Sequence, residues 1–282
     1  MDDTSYSTAG FRPRDTDSAL DVIAKVGFPQ AEISGWGLNG DDPLPADELA
    51  GFLGRLEQRG LRARTVHAPS SRITLGAPDE EWRKEAVGVL ADYLRFVGDM
   101  GATDMVIHPI PNPIFVENAF APEIPGLVGE AASRSLDDLI PVAEKAGVRM
   151  NLENLPYHCD YPYRRMKELR PLVDQYPAEQ LGLIIDTGHV GVLDDDIVEE
   201  IQAAGSRLRG THIHDVIGHE DGTDHRGPGR GVLDWDAMLA AFRDIDYPGP
   251  YTFETIIPNE GETQDELARF TREFAVKWGI TA

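Results

Sequence analysis

Short apolar runs in this chain end, again and again, in a residue that can hold a proton or a metal ion. His67 closes RTVH, His108 closes DMVIH, Glu153 closes RMNLE and Asp186 closes LGLIID, with His189 three residues on; His212 closes LRGTH and Glu254 closes YTFE. A buried strand gains nothing from ending in a charge, because an unpaired ion taken out of water costs several kcal/mol, on the order of the penalty for half a buried ion pair. One such residue would be a solvated loop group or a satisfied hydrogen-bonder. Six of them at one rim imply a shared site. Three carboxylates brought together repel and raise one another's pKa, and a divalent cation resolves the repulsion. Three carboxylates with one imidazole form a hard, oxygen-rich set that suits Mn²⁺, Mg²⁺ or Co²⁺ and tolerates Zn²⁺. For the imidazole, His212 and His214 both remain open on residue type alone. A nucleophilic triad reads poorly, since no Ser or Cys stands at a strand end beside a histidine. A phosphate cradle reads poorly too: GPGRG at 227–231 lacks the Walker lysine and threonine.

Such rim residues need strands that run parallel and a scaffold that brings their C-terminal ends together. The chain alternates β-rich runs with helical patterns about eight times. Strand candidates end near Phe11, Ser34, His67, His108, Glu153, Asp186, His214 and Glu254; helical stretches cover 15–26, 46–59, 79–100, 127–146, 164–176, 194–204, 235–245 and 263–278. Leu267, Phe270, Phe274 and Trp278 recur at steps of three and four, one apolar stripe of the last helix. Asp79 precedes a helix whose first turn carries Glu81, as capping and the helix dipole favour. Gly27, Gly60, Gly101 and Gly147 each close a helix just before a strand. The strands read as continuous apolar runs (DMVIH, GVRMNLE, LGLIID), the pattern of a parallel sheet covered on both faces. The expected fold class is therefore α/β, a (β/α)₈ TIM barrel spanning 1–282 as a single domain, with 282 residues near the usual size of that fold. An open doubly wound sheet is the alternative, and no GxGxxG follows the first strand to support it. Two long loops, 109–126 with Ile114, Phe115 and Phe120, and 216–231, rich in Gly, His and Asp, follow strands and so belong to the C-terminal face. The apolar side chains of the first are expected to cover the barrel mouth or a neighbouring subunit.

Composition bounds the partners. The formal net charge of −23 repels a phosphate backbone, and no Lys/Arg cluster exceeds short pairs such as Arg164-Arg165, so no nucleic-acid partner is expected. No apolar run approaches membrane-spanning length, and Met1–Thr8 is acidic and polar rather than signal-like, so no membrane partner and a cytoplasmic setting are expected. The one cysteine, Cys159, excludes an internal disulfide and thiolate metal clusters. Lysine is confined to Lys25, Lys84, Lys145, Lys167 and Lys277 against 49 acidic residues, the composition of either a salt-adapted surface or an ordinary acidic protein. A salt-adapted surface predicts a melting temperature that climbs from low salt to molar KCl as repulsion is screened; a flat or falling melting temperature would reject that adaptation.

Taken together, NLEN (151–154), DTGH (186–189), THIHD (211–215), HRGPGRG (225–231) and FE (253–254) resemble the xylose-isomerase-like barrels, a superfamily of sugar isomerases, ketose 3-epimerases, inositol-catabolic enzymes and zinc AP endonucleases (AP endonuclease family 2). The resemblance covers nearly the whole chain. It implies one divalent metal ion on Glu153, Asp186, His212 and Glu254, with Glu153 and Glu254 also serving as the catalytic acid/base pair. It implies that His189 contacts substrate, and it selects His212 over His214 because the HxxD form places the ligand first and Asp215 closes the motif. His214 is then a supporting hydrogen-bonder. Two positions depart from the ketose epimerases: Cys159 stands where they carry a substrate-binding glutamate, and His225 where they carry an arginine. His67, His108, His189 and His225 resemble the zinc AP endonucleases, which use histidines there for two further metals; the aspartate of that pattern is Thr223 here, with Asp221 or Asp224 as substitutes.

The function these residues imply is a divalent-metal-dependent isomerase or epimerase of a sugar, keto-sugar or polyol, working by proton transfer next to a carbonyl. The rivals are a lyase or dehydratase on a keto-sugar, glycoside or cyclitol, a zinc AP endonuclease, and a barrel without activity. His67, His108, His225, Arg226 and Trp36 join His189 as substrate-binding candidates, each weighed against rim packing, surface charge or wall packing; Glu32 is weighed as a buried hydrogen-bonder or a substrate contact. His158 and His219 read as loop residues. The resemblance also allows a homo-oligomer paired through loops at the rim.

Overall fold

A computed structural model describes residues 2–11, 15–35, 42–70 and 72–281. Each apolar run becomes a short parallel strand: β1 (Thr4–Ser7), β2 (Gln30–Ser34), β3 (Thr65–His67), β4 (Asp104–Ile107), β5 (Arg149–Glu153), β6 (Leu181–Asp186), β7 (Leu208–His212) and β8 (Tyr251–Phe253). The sheet order is β7-β6-β5-β4-β3-β2-β1-β8, every pair parallel. A bridge between Ile213 and Phe253 joins β7 to β8, with the Ile213 N–H on Thr252 O (2.8 Å) and the Glu254 N–H on Ile213 O (3.2 Å). The ring of strands is thereby closed, and the architecture is a (β/α)₈ TIM barrel.

The helices between strands are α1 (Thr16–Val26), α2 (Ala46–Gln58), α3 (Glu80–Asp99), α4 (Ile124–Ala146), α5 (Met166–Val173), α6 (Thr187–Val192), α7 (Ile197–Ala204), α8 (Trp235–Asp244) and α9 (Gln264–Lys277). Their ends follow local chemistry. Asp15 and Asp79 accept the Ser18 and Trp82 N–H groups as N-caps, and Thr263 with Glu266 forms a capping box. Gly27 and Gly147 close α1 and α4 in the left-handed region, at φ 93° and 68°, where a β-carbon would be strained.

Three local outcomes differ from the pattern of the sequence. The first strand stops at Ser7, and Thr8–Phe11 turns into a 3₁₀ helix that takes Phe11 into the core. In α9 the buried stripe is Leu267, Ala268, Thr271 and Ala275, because small side chains let the helix approach the barrel; Phe274 and Trp278 lie on its flank against Trp235, at centroid distances of 5.2 and 4.8 Å. In the loop after β4, Val116 and Ala119 bury with Trp82, Ile110, Leu155, Cys159 and Tyr161 in a small second core, and Phe115 packs against it. Ile114 and Phe120 do not cover the mouth: they are 77% and 78% exposed and border a groove with Pro156, Tyr157 and His158. No helix among the described residues is long and apolar enough to cross a membrane.

Candidate active site

At the C-terminal end of the barrel, five strands deliver charged groups to one point. Glu153 and His212 are the last residues of β5 and β7, Asp186 ends β6 opposite His212 in register, Glu254 follows β8, and Glu32 lies in β2. Glu32, Asp186 and His212 are fully buried, and Glu153 and Glu254 nearly so. One ligand atom each from Glu153, Asp186, His212 and Glu254 falls within 4.8 Å of all the others.

The orientation of His212 follows from its two neighbours. Its Nε2 meets Glu32 Oε1 at 2.9 Å, while its Nδ1 faces inward to Glu153 Oε1 at 2.8 Å and Glu254 Oε2 at 3.3 Å. Glu32 is thus the carboxylate behind the imidazole, the arrangement that orients metal-bound histidines and strengthens them as ligands. Burial alone would strip His212 of charge, yet the Glu254, Glu32 and Glu153 carboxylates outweigh it and hold its pKa well above the ordinary histidine value. The Glu153 carboxylate is correspondingly held well below the usual range: burial pushes it up, and His212, His108 and His67 pull it down further. A proton on His212 occupies the place where a cation would relieve the same crowding.

The remaining histidines line the walls. His67 and His108 bring their Nε2 atoms to 3.3 and 3.2 Å from Glu153 Oε2, a buried oxygen that no other hydrogen-bond donor reaches. The other nitrogen of His67 donates to Ala68 O at 2.6 Å, which leaves Nε2 facing the carboxylate. Burial lowers the His108 pKa; at His67 the Glu153 contact overcomes burial and raises it. His189 donates Nδ1–H to Asn154 O at 2.8 Å, and its Nε2 points across to Asp224 Oδ2 at 3.8 Å, with His225 Nε2 4.0 Å from the same oxygen. A cavity of about 400 Å³ opens here, bordered by Ser34, His67, His108, Glu153, His189, His225 and Glu254. A larger cleft of 920 Å³ at the opposite rim, around Arg62, Arg64 and Arg149, contains none of these groups.

Not every candidate reaches the cavity. Arg226 contributes its backbone, pairing with Asp215, and its side chain is not among the cavity-lining groups. Trp36 lies outside the described residues. Cys159, in the position of the ketose epimerase glutamate, is buried in the second core instead. His158 and His219 are half exposed at the rim. Asn154, present in the NLEN run but not singled out there, clips β5 to β6: it donates to Asp186 O (3.0 Å) and accepts the Asp186 N–H (2.8 Å).

Asp215 organises the loop that follows. Its oxygens accept from Val216 N (2.9 Å), Gly231 N (2.9 Å), Leu233 N (3.3 Å) and Trp235 Nε1 (2.9 Å), all from full burial. Asp215→Ala would orphan several of these donors at once. The expected cost is about 3 kcal/mol or more of stability, read from denaturant midpoints, because each buried donor left unmade costs roughly 1–3 kcal/mol. A loss below about 1 kcal/mol would show that the loop holds itself without this residue.

Comparison with known proteins agrees with the fold. The model of the xylose isomerase-like TIM barrel family matches residues 20–274. The chain belongs to this family. Among xylose isomerase-like barrels, L-ribulose 3-epimerase of Methylomonas sp. is 38% identical over 258 residues, covering 89% of this chain and 80% of the relative. The 3-keto-D-glucoside 4-epimerase YcjR of E. coli superposes with a TM-score of 0.78 at 20% identity, covering 99% and 98% of the two chains. The IOLI protein, whose crystal structure carries a binding zinc atom, superposes at 0.79 with 18% identity, covering 99% of this chain and 98% of that one.

Proposed function

We propose that the chain is a divalent-metal-dependent epimerase or isomerase of a sugar, keto-sugar or polyol, acting by proton transfer next to a carbonyl. The observation that carries this reading is the pairing of Glu153 and Glu254. They come from β5 and β8, border the same cavity, and share a four-residue donor cluster with Asp186 and His212. Relatives that are sugar epimerases support the reaction class.

The donor set fits a divalent cation: three carboxylates and one inward-facing imidazole nitrogen, with a buried Glu153 oxygen that only the His67 and His108 ring nitrogens approach. Glu153, Asp186, His212 and Glu254 would hold it. When bound, such an ion supplies positive charge against the negative charge that develops on the substrate oxygens as a neighbouring proton leaves, worth several kcal/mol. Glu153 stands ionised beside His212, His108 and His67 and so carries no proton of its own, although the same contacts weaken it as a base, and it would accept the proton; Glu254, just after β8, is placed to return one. Removal by one glutamate and return by the other on the opposite face inverts the carbon. His67, His108, His189 and His225 line the wall where hydroxyl groups would lie, and their rings offer donors and acceptors suited to a polyol. The same reading takes 1–282 as one domain working in the cytoplasm on a small molecule.

A screen of keto-sugars and inososes with Mn²⁺ in deuterated solvent tests it. The expected result is one solvent deuteron in the product at the carbon whose configuration changes. Failure of the metal-loaded protein to exchange a carbon-bound proton in any member would overturn the reading. A count of three metal ions per chain would redirect it to phosphodiester hydrolysis.

A further inference from the structure

His214 lies behind the donor cluster, fully buried, and does not border the cavity, yet it is held from every side. Its backbone is pinned by Thr187: the Thr187 hydroxyl donates to His214 O at 2.7 Å and accepts the His214 N–H at 3.1 Å. Its ring lies against Gly188, where an added β-carbon would overlap the imidazole, and it packs on the His225 ring with centroids 4.1 Å apart. The two ring nitrogens have different partners. The backbone N–H of His225 points at Nδ1, 2.8 Å away. Burial works against charge on this ring and the Asp186 contact favours it, raising its pKa to about 9; the His225 amide decides between them, because a backbone N–H can only donate, so Nδ1 keeps a lone pair and the ring proton sits on Nε2. The rival contact, Nδ1 to Asp215 O at 3.4 Å, is too long to compete. Nε2–H then donates to Asp186 Oδ2 at 2.7 Å, while Asp186 Oδ1 accepts the His189 N–H at 2.7 Å.

We infer that His214 is a positioning residue: an imidazole that accepts at Nδ1 and donates from Nε2, fixes the rotation of the Asp186 carboxylate toward the cation cluster and ties this ligand to the 216–231 loop. With both oxygens held from behind, Asp186 keeps its free lone pairs turned to Glu153, His212 and Glu254. The link to the loop runs through the His225 amide, which reaches Nδ1 because His225 adopts φ 55°. The role rests on the metal reading above, and it also explains why the third position of the DTGH run is glycine: any larger residue would push the His214 ring off Asp186.

Two measurements test it. In the metal-free wild-type protein, ¹⁵N spectra of the histidine rings are expected to show His214 with its proton on Nε2 and Nδ1 unprotonated. A proton on Nδ1 would overturn the inference, whatever the variants do. Second, His214→Leu is expected to weaken Mn²⁺ binding roughly 10–100-fold and alter the Co²⁺ absorption spectrum, as loss of a hydrogen bond to a ligand does. His214→Gln, whose amide can donate from near the Nε2 position, is expected to recover most of that loss. Unchanged Mn²⁺ affinity in His214→Leu, with wild type binding normally, would sink the positioning role alone. A glutamine variant as weak as the leucine one would instead make the imidazole itself a ligand and overturn the assignment. Absence of Mn²⁺ binding by wild type would remove the metal reading and this role with it.

Discussion

Glu153→Gln and Glu254→Gln are each expected to lower kcat/KM about 10²-fold or more, the scale on which a positioned acid or base contributes. A hydrogen next to a carbonyl is too weakly acidic for a carboxylate in water to remove quickly. Holding the base at contact distance, with positive charge against the substrate oxygens on which negative charge develops, lowers that barrier. Because both glutamates also belong to the donor cluster, the rate at saturating metal separates the two roles. Asp186→Asn serves as the comparison: it weakens the cluster without touching proton transfer, so added metal should restore much more of its rate. Solvent exchange gives the sharper result. If each glutamate faces one side of the reacting carbon, Glu254→Gln should still exchange the proton of one epimer and fail with the other, and Glu153→Gln should show the reverse preference. One indispensable glutamate, with the other replaceable at modest cost, would point to a single-base isomerase.

Chelation should abolish turnover, and the affinity for Mn²⁺ should rise about tenfold per pH unit across the neutral range, the slope of one proton released per ion bound. The sign follows from His212. Its pKa is raised well above the ordinary value by Glu254, Glu32 and Glu153 acting against burial, so near neutrality the imidazole is protonated. Nδ1, the nitrogen that faces Glu153 and Glu254, must give up that proton to bind a cation. Lower pH favours the proton and higher pH the metal, until His212 titrates in the free protein and the slope flattens. Calorimetry in buffers of different ionisation enthalpy counts the proton directly. An affinity independent of pH would mean that His212 is not a ligand. Full activity in chelator-treated protein would end the metal proposal.

Local pattern alone made much of this legible. Continuous apolar runs such as LGLIID read as strands covered on both faces, glycines after helical stripes mark where helices stop, and eight such units favour the barrel that puts Glu153, Asp186, His212 and Glu254 at strand ends. A period of two or 3.6 residues says which face a side chain takes and nothing about its partner across the barrel. Ring closure decided that. It set Glu32 against His212, 180 residues away, and so chose the nitrogen that faces the cluster. It placed His67 and His108 on one oxygen of Glu153. Loops lie further from sequence pattern because their course depends on long-range hydrogen bonds: Asp215 gathers four donors from the two ends of the 216–231 stretch and just beyond it, and within that stretch Asp224 comes near His189 while Arg226 is not among the cavity-lining residues. Apolar character could not tell Val116, which found a pocket in the second core, from Ile114 and Phe120, which did not, since burial depends on the space that neighbouring elements leave.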